Sequence, residues 1–456
     1  MPTVHPTPDI LDRLLSGTVT DAEARWAVHH LLASCEVCSR YVRGALHIID
    51  ANDAIPALDP RAGAASYDDA FAGAMDRSVS EVAAIRDEQV AATTLWAEVR
   101  DTPSAQRRDL ILGDSRFHTW ALAARLLEAA AEFDWHDTRS GLDACRLALV
   151  IAERLPAAAY PAGLCHDLRA RALAGLVNAL RLDQQLDAAR VALAQAWEAL
   201  HDGSGDPLER AALMRAEASL ELAAGDHARA AELLRPAVAI FRHHGDRHQE
   251  GRTLQKLARA VGYDDPAQGV ALADRALALV DPGTEPLLEL AARHVLIWFL
   301  NDAGMPLQAF DLLERARPLY RQCKQAEPQL MVSWLEARIW RRLGRLDLAE
   351  RGLAAVWHDF HQAAFQQELA LVSLDLAETY IARGKTRHAV RLLRSFHGTL
   401  GSWQMHAEGM AAWLLLVEAA AGEATKAQAL TREAALYFRH AWRRPAPFAA
   451  GPARDR

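Results

Sequence analysis

A turn that returns every 40 residues limits this 456-residue chain to an array of like units. The segments AAGDHARAAELLRPA, DAGMPLQAFDLLERA, RLGRLDLAERGLAAV and ARGKTRHAVRLLRSF each hold a glycine, at 225, 304, 344 and 384. Five residues after it stand Ala230, Ala309, Ala349 and Ala389. The last three glycines are 40 apart, and the preceding interval of 79 is two periods, with GYDDPAQGVALADRA around Asp264 supplying the missing turn. Counting outwards finds RLDQQLDAARVALAQA near Gln184, with Ala189 and Ala196, and AAGEATKAQALTREA at Gly422, with Ala427 and Ala434. Ala237, Ala276 and Ala316 recur twelve residues past the turn, a further position for close helix crossing. Pro207, Pro266, Pro286, Pro306 and Pro328 mark helix starts, where no amide hydrogen is needed. Each unit is therefore predicted to be a helical hairpin. One hairpin cannot bury its apolar face alone, so the hairpins must stack.

This pattern resembles the tetratricopeptide-like repeats, in the longer form of about 40 residues per unit found in bacterial regulator domains, over residues 115–442. Gly269 and Gly352 intrude in second helices, and Val356 and Phe396 replace the small residue at two later positions. The resemblance implies an α-solenoid with a long concave surface for a protein or peptide partner. Composition agrees with an all-α chain: 25 glycines and 19 prolines are few for this length, while Ala, Leu, Arg and Glu recur throughout. A net charge of −8 argues against general nucleic-acid or membrane-surface binding, because no positive field draws in phosphates. The longest apolar stretches, HVLIWFL and MAAWLLLVEAAA, are too short to span a bilayer, and no N-terminal leader pattern is present, so a cytoplasmic location is expected.

The first 50 residues carry different signals. TPDILDRLLSG reads as a short helix, Thr20 and Glu23 form a capping box for a second, and CSRYVRGALHIIDA reads as a third. The second helix leads into HHLLASCEVC, which places His30, Cys35 and Cys38 together, with His5 ahead of the first helix. Two thiolates from a Cys-x-x-Cys turn and two imidazoles would make a tetrahedral set for zinc or another thiolate-favoured metal, closed to solvent and therefore structural; the alternatives are a thiol switch at Cys35 and Cys38, or no metal. A module this small needs such a staple. The stretch from His5 to Val42 resembles the zinc-binding anti-sigma-factor module, which implies a sigma factor or signalling protein as partner. The family spaces its histidine three residues before the first cysteine. Here four residues follow His30 and five follow His29; His30 is favoured because His30-Leu31 repeats the family's His-Leu step.

Residues 51–76 read as a linker rich in Ala, Gly, Pro and Asp, 77–114 as a helical connector, and 443–456 as a frayed tail. Cys145, Cys165 and Cys323 stand singly and read as core thiols. The histidines of HHGDRH flank Gly245 in a turn between hairpins. RGKT at 383–386 lacks the upstream glycine and strand of a phosphate loop and is a repeat turn. SWLEARIWRRLGR sets Trp334, Arg338, Arg341 and Arg342 at helical spacing, either as a solvated face over packed tryptophans or as a binding strip for an acidic segment. No zincin, hydrolase or dinucleotide signature occurs. The expected function is a non-catalytic regulator or adaptor. A peptide-sensing transcriptional regulator is the nearest alternative, and an enzyme using residues 77–135 or the zinc the more distant one.

Overall fold

The computed structural model describes residues 6–15, 23, 27, 38, 84–133, 137–280, 285–323, 326–363, 365–403, 405–422, 424–442 and 448. Every regular element among them is helical, so the chain is all-α. It divides into two compact units, Met1–Ala216 and Glu217–Arg456.

The first unit contains α1 (Pro8–Leu15), α2 (84–101), α3 (Ser104–Gly113), α4 (Trp120–Phe133), α5 (Thr138–Ala152), α6 (Ala162–Leu182) and α7 (Leu186–His201). Helix α8 (Pro207–Ala224) contains the division between the units. Helices α4 and α5, and α6 and α7, pair as hairpins, and α6 packs on both α4 and α5. Glu88 of α2 accepts the amide of Ala121 at 2.7 Å, satisfying a donor that the first turn of α4 cannot bond internally. Near the N-terminus, Leu11, Ala27 and Cys38 are buried, and Arg13 donates to both carboxylate oxygens of Glu23 at 3.0 and 2.9 Å. His5, His29, His30 and Cys35 lie outside the described residues, as does the linker at 51–76.

The second unit continues with α9 (His227–His243), α10 (Arg247–Gly262), α11 (Pro266–Leu279), α12 (Pro286–Asp302), α13 (Pro306–Gln322), α14 (Ala326–Arg342), α15 (Leu346–Ala363), α16 (Gln366–Ala382), α17 (Thr386–Ser402), α18 (Ala407–Gly422) and α19 (Ala424–Ala441). Its hairpin turns are built alike. Gly225, Gly304, Gly344 and Gly384 have φ between +71° and +86°, a left-handed conformation that costs a side-chain-bearing residue about 1 kcal/mol. The residue after each glycine returns its amide to a carbonyl five positions earlier, as in Met305 to Leu300 at 2.9 Å and Lys385 to Tyr380 at 2.8 Å. This bond closes orphan carbonyls at the helix end.

The alanines five residues past the turns are fully buried at helix crossings. In the α10–α11 hairpin that position is Gly269, five residues after Asp264. A Cβ there would lie 2.8 Å from both the Cα of Gly262 and the ring of Phe299, itself 1 % exposed. Gly269 is thus a tighter form of the repeated small residue and not an interruption of it. Gly352 likewise faces the Cβ of Ala337 at 2.9 Å. Alanine normally favours a helix over glycine by about 1 kcal/mol. At Gly269 the sign reverses: Gly269→Ala is expected to lose roughly 1–3 kcal/mol by overpacking, measured as a lower urea midpoint.

Helices α10, α12, α14 and α16 pack on one another in series, each also touching the second helices on either side. They form the inner row, with α11, α13, α15 and α17 on its other side. Burial follows this placement. Leu369 to Thr379 of α16 are buried without a gap, whereas the outer α17 buries only Ala389, Leu393, Phe396 and Leu400. The last hairpin is turned: α18 packs on the outer α17, and α19 packs on the inner α16. Phe448, in the segment expected to fray, rests its ring on Tyr437 with centroids 5.2 Å apart.

Candidate functional site

The inner row of the second unit places charges where water cannot reach them. Asp375 and Glu378 interrupt the apolar run of α16 at a spacing that sets both on one side, toward α14. Arg338 and Arg341 of α14 meet them. Arg338 donates to Asp302 at 2.9 Å and lies 3.3 Å from Asp375; Arg341 donates to Asp375 at 2.9 Å and pairs with Glu378. The indole N–H of Trp334 donates to Asp375 at 2.8 Å.

Burial alone would push the Asp375 carboxyl up, yet Arg338 and Arg341 outweigh it and hold the group below the usual carboxylate range. Arg341 carries the opposite imbalance: burial lowers it to about 10 despite Asp375. Arg338 stays above its ordinary value, since Asp302 and Asp375 overcome its desolvation.

Of the residues singled out in α14, the structure brings Trp334, Arg338 and Arg341 together around Asp375. Trp334 and Arg338 are only 1 % and 7 % exposed, so they form the floor of the site and not an open strip. Arg342 is exposed, with Asp302 and Asp375 of the same group acting on it electrostatically. Tyr263, Trp298, Asp302, Asp375 and Glu378 were not singled out from sequence. Paired carboxylates inside an otherwise apolar helix were the available signal, because a buried acid requires a cation.

Helix α19 is seated across this floor. Its seam of Ala427, Leu430, Ala434 and Phe438 is buried, and Trp413 packs on Phe438 at 5.6 Å. Polar contacts extend the seat on both sides. Arg432 donates to Glu378 at 2.9 Å, and Gln367 donates to the Phe438 carbonyl at 3.1 Å. The Arg439 guanidinium lies over the rings of Tyr263 (4.5 Å) and Trp298 (5.0 Å). The His440 ring reaches Asp264 at 3.2 Å and the His227 ring at 4.4 Å between centroids. Gly225 passes so close to the His440 carbonyl that a Cβ there would collide with it. The last helix therefore touches the inner row from α16 back to the first turn of the unit.

Several buried polar atoms on this row have no hydrogen-bond partner among the described residues: Trp298 Nε1, His294 Nε2, Arg338 Nη1, Arg341 Nε and Asn301 Oδ1. They are neighbours. Arg338 lies 4.2 Å over the Trp298 ring, and the His294 and Trp298 centroids are 6.0 Å apart. Most of these atoms are donors, and buried donors rarely stay unmatched. Among the described residues no group of His, Cys, Asp and Glu is arranged to hold a metal, and no helix is long and apolar enough to cross a membrane.

No protein-family model matches the chain, and no curated protein matches it in sequence. Solved structures do. A Rap protein crystallised in complex with competence and sporulation factor is similar at 14% identity and a TM-score of 0.55, over 69% of this chain and 87% of that one. At that identity the likeness concerns the fold, and it supports the helical-repeat array read from the recurring turns.

Proposed function

We propose that this chain is a non-catalytic, cytoplasmic interaction regulator whose inner row in the second unit docks a peptide or an extended segment of a partner protein. The observation that carries this reading is the clustering of unmatched buried donors around Trp298 and Arg338. Peptide carbonyls and carboxylates are acceptors, so a segment that displaces part of the α19 seat would meet these buried N–H groups. The similar Rap protein was solved with a bound factor, which agrees with this use of the fold.

The zinc set of His5, His30, Cys35 and Cys38, with a sigma factor or signalling protein as its partner, is proposed for the first module on the sequence resemblance. Cys38 is helical and buried.

One experiment addresses both parts. Purified wild type, Trp298→Phe and Cys35→Ser/Cys38→Ser are each incubated with native-cell extract, and retained peptides and proteins are identified by mass spectrometry, with zinc measured on the same samples. Trp298→Phe removes the unmatched N–H while keeping a ring under Arg338. Loss of a specific ligand in that variant is the expected result. Equal retention by wild type and Trp298→Phe, or no retention by either, overturns the inner-row reading. Zinc at one per chain in wild type and none in the cysteine variant is expected; substoichiometric zinc after metal-replete purification removes the ligand assignment.

A further inference from the structure

The outer surface of the last hairpins carries a second feature, unconnected with the inner row. Every other second helix of the array contains at least one carboxylate, but α17, TRHAVRLLRSFHGTLGS, contains none. On three other outer helices an exposed arginine is paired within its own helix: Arg229 with Glu232, Arg315 with Asp311, Arg351 with Asp347. Just before α17, Arg383 and Lys385 are both held by Glu350. Arg387, Arg391 and Arg394 differ. They are exposed, they share one helix face, and none makes an ion pair among the described residues.

These three arginines form one wall of a trough of about 690 Å3, with Val390 on the same wall and Ala421 of α18 on the opposite side. Ala421 shares its helix face with Leu414, a leucine left 44 % exposed. Glu418 lies between them on that face and is exposed. A row of cations thus runs beside Val390, Ala421 and Leu414, with the Glu418 carboxylate interrupting the apolar surface on the α18 side.

We propose that this trough docks an acidic amphipathic helix of a partner protein. At 1.5 Å rise per residue the three guanidinium groups stand about 6 Å and 4.5 Å apart along the axis, the spacing of carboxylates at i, i+4 and i+7 on a facing helix. Leucines flanking those carboxylates would cover Val390, Ala421 and Leu414. A chain of net charge −8 repels an acidic partner over most of its surface, so an uncompensated basic patch also fixes where the partner lands. Nucleic acid fits less well, because three cations fall short of the roughly 6–10 phosphate contacts of a stable complex.

The test uses a fluorescein-labelled synthetic 18-residue helical peptide with Glu at that spacing and Leu on the adjoining flank, and a labelled DNA duplex of similar size. Anisotropy is measured on the full chain at low and moderate salt. Wild type is expected to bind the peptide and to weaken as salt rises. Arg391→Glu/Arg394→Glu should weaken binding about tenfold or more, Arg391→Lys/Arg394→Lys should largely retain it, and Arg315→Glu on the outer α13 should leave it unchanged. All three positions are exposed, and unchanged thermal unfolding verifies that the variants fold. No peptide binding by wild type, an equal loss in Arg315→Glu, an unaffected double reversal, or tighter binding of the duplex than of the peptide would each overturn the proposal.

Discussion

Asp375→Asn is expected to lower the stability of the second unit by roughly 3–5 kcal/mol, although the substitution changes scarcely any volume. The carboxylate serves three donors at once: Trp334 and Arg341 by hydrogen bonds and Arg338 as an ion pair. An amide presents one oxygen where the carboxylate presents two. Its oxygen can face Trp334 and Arg338, or Arg341, but not all three, and its own NH2 must then face a guanidinium. Glu378 still serves Arg341, and Asp302 still serves Arg338, but the net charge buried on the inner row rises by one. Urea unfolding of the full chain, followed by tryptophan fluorescence, reads the loss directly, because Trp298 and Trp334 lie in the affected cluster. The replacement Asp302→Asn/Arg338→Met/Arg341→Met/Asp375→Leu/Glu378→Gln, which removes every charge of the group, separates charge from packing. If the penalty comes from uncompensated charge, removing the whole group should cost less than the single amide. A midpoint for Asp375→Asn within experimental error of wild type would show that the cluster is hydrated and contributes little.

The array was legible in the sequence because its periodic constraint is local. Left-handed turns select glycine at 225, 304, 344 and 384, and close crossings select alanine at 230, 309, 349 and 389, so each unit repeats its own address. Gly269 was misread for a related reason. Its helical context made glycine look like a weak point, and only the ring of Phe299 packed against it shows why nothing larger fits. The site was half legible. Trp334, Arg338 and Arg341 could be grouped by helical spacing, but their partners Asp302 and Asp375 stand 36 and 34 residues from Arg338 and Arg341. Pairings of that length depend on how hairpins stack. The seat of α19 was illegible, because its sequence looks like any other second helix. What differs is its neighbour: α18 takes the outer place, and the final helix is left for the inner one.

That final helix makes the second unit sensitive to acid. Burial, reinforced by His440 and Arg259, lowers His227 to about 3, and burial with Arg259 lowers His294 to about 4. Both imidazoles stay neutral in the folded chain well below the pH at which they gain a proton when unfolded. Between the folded values and the ordinary 6.5, the unfolded state therefore binds more protons, and stability falls as pH falls. At pH 4.5 the loss from His227 is roughly 2–3 kcal/mol, with a similar amount from His294. Among the described residues no compensating acid faces His227: its ring neighbours are His440 and Tyr263, and the charges that act on it are cationic. The expected result is a urea midpoint that drops steadily from pH 7 to pH 4.5, a range above the ordinary titration of most carboxylates. His227→Gln should remove about half of that slope. Hydrogen exchange gives the location. Because His227 touches the end of α19 while His294 bonds Tyr320 beneath the row, acid should release amides of 424–441 before those of α12. A midpoint flat across this range, or a slope untouched by His227→Gln, would mean that His227 is solvated and that the contact between α19 and the first turn does not hold in solution.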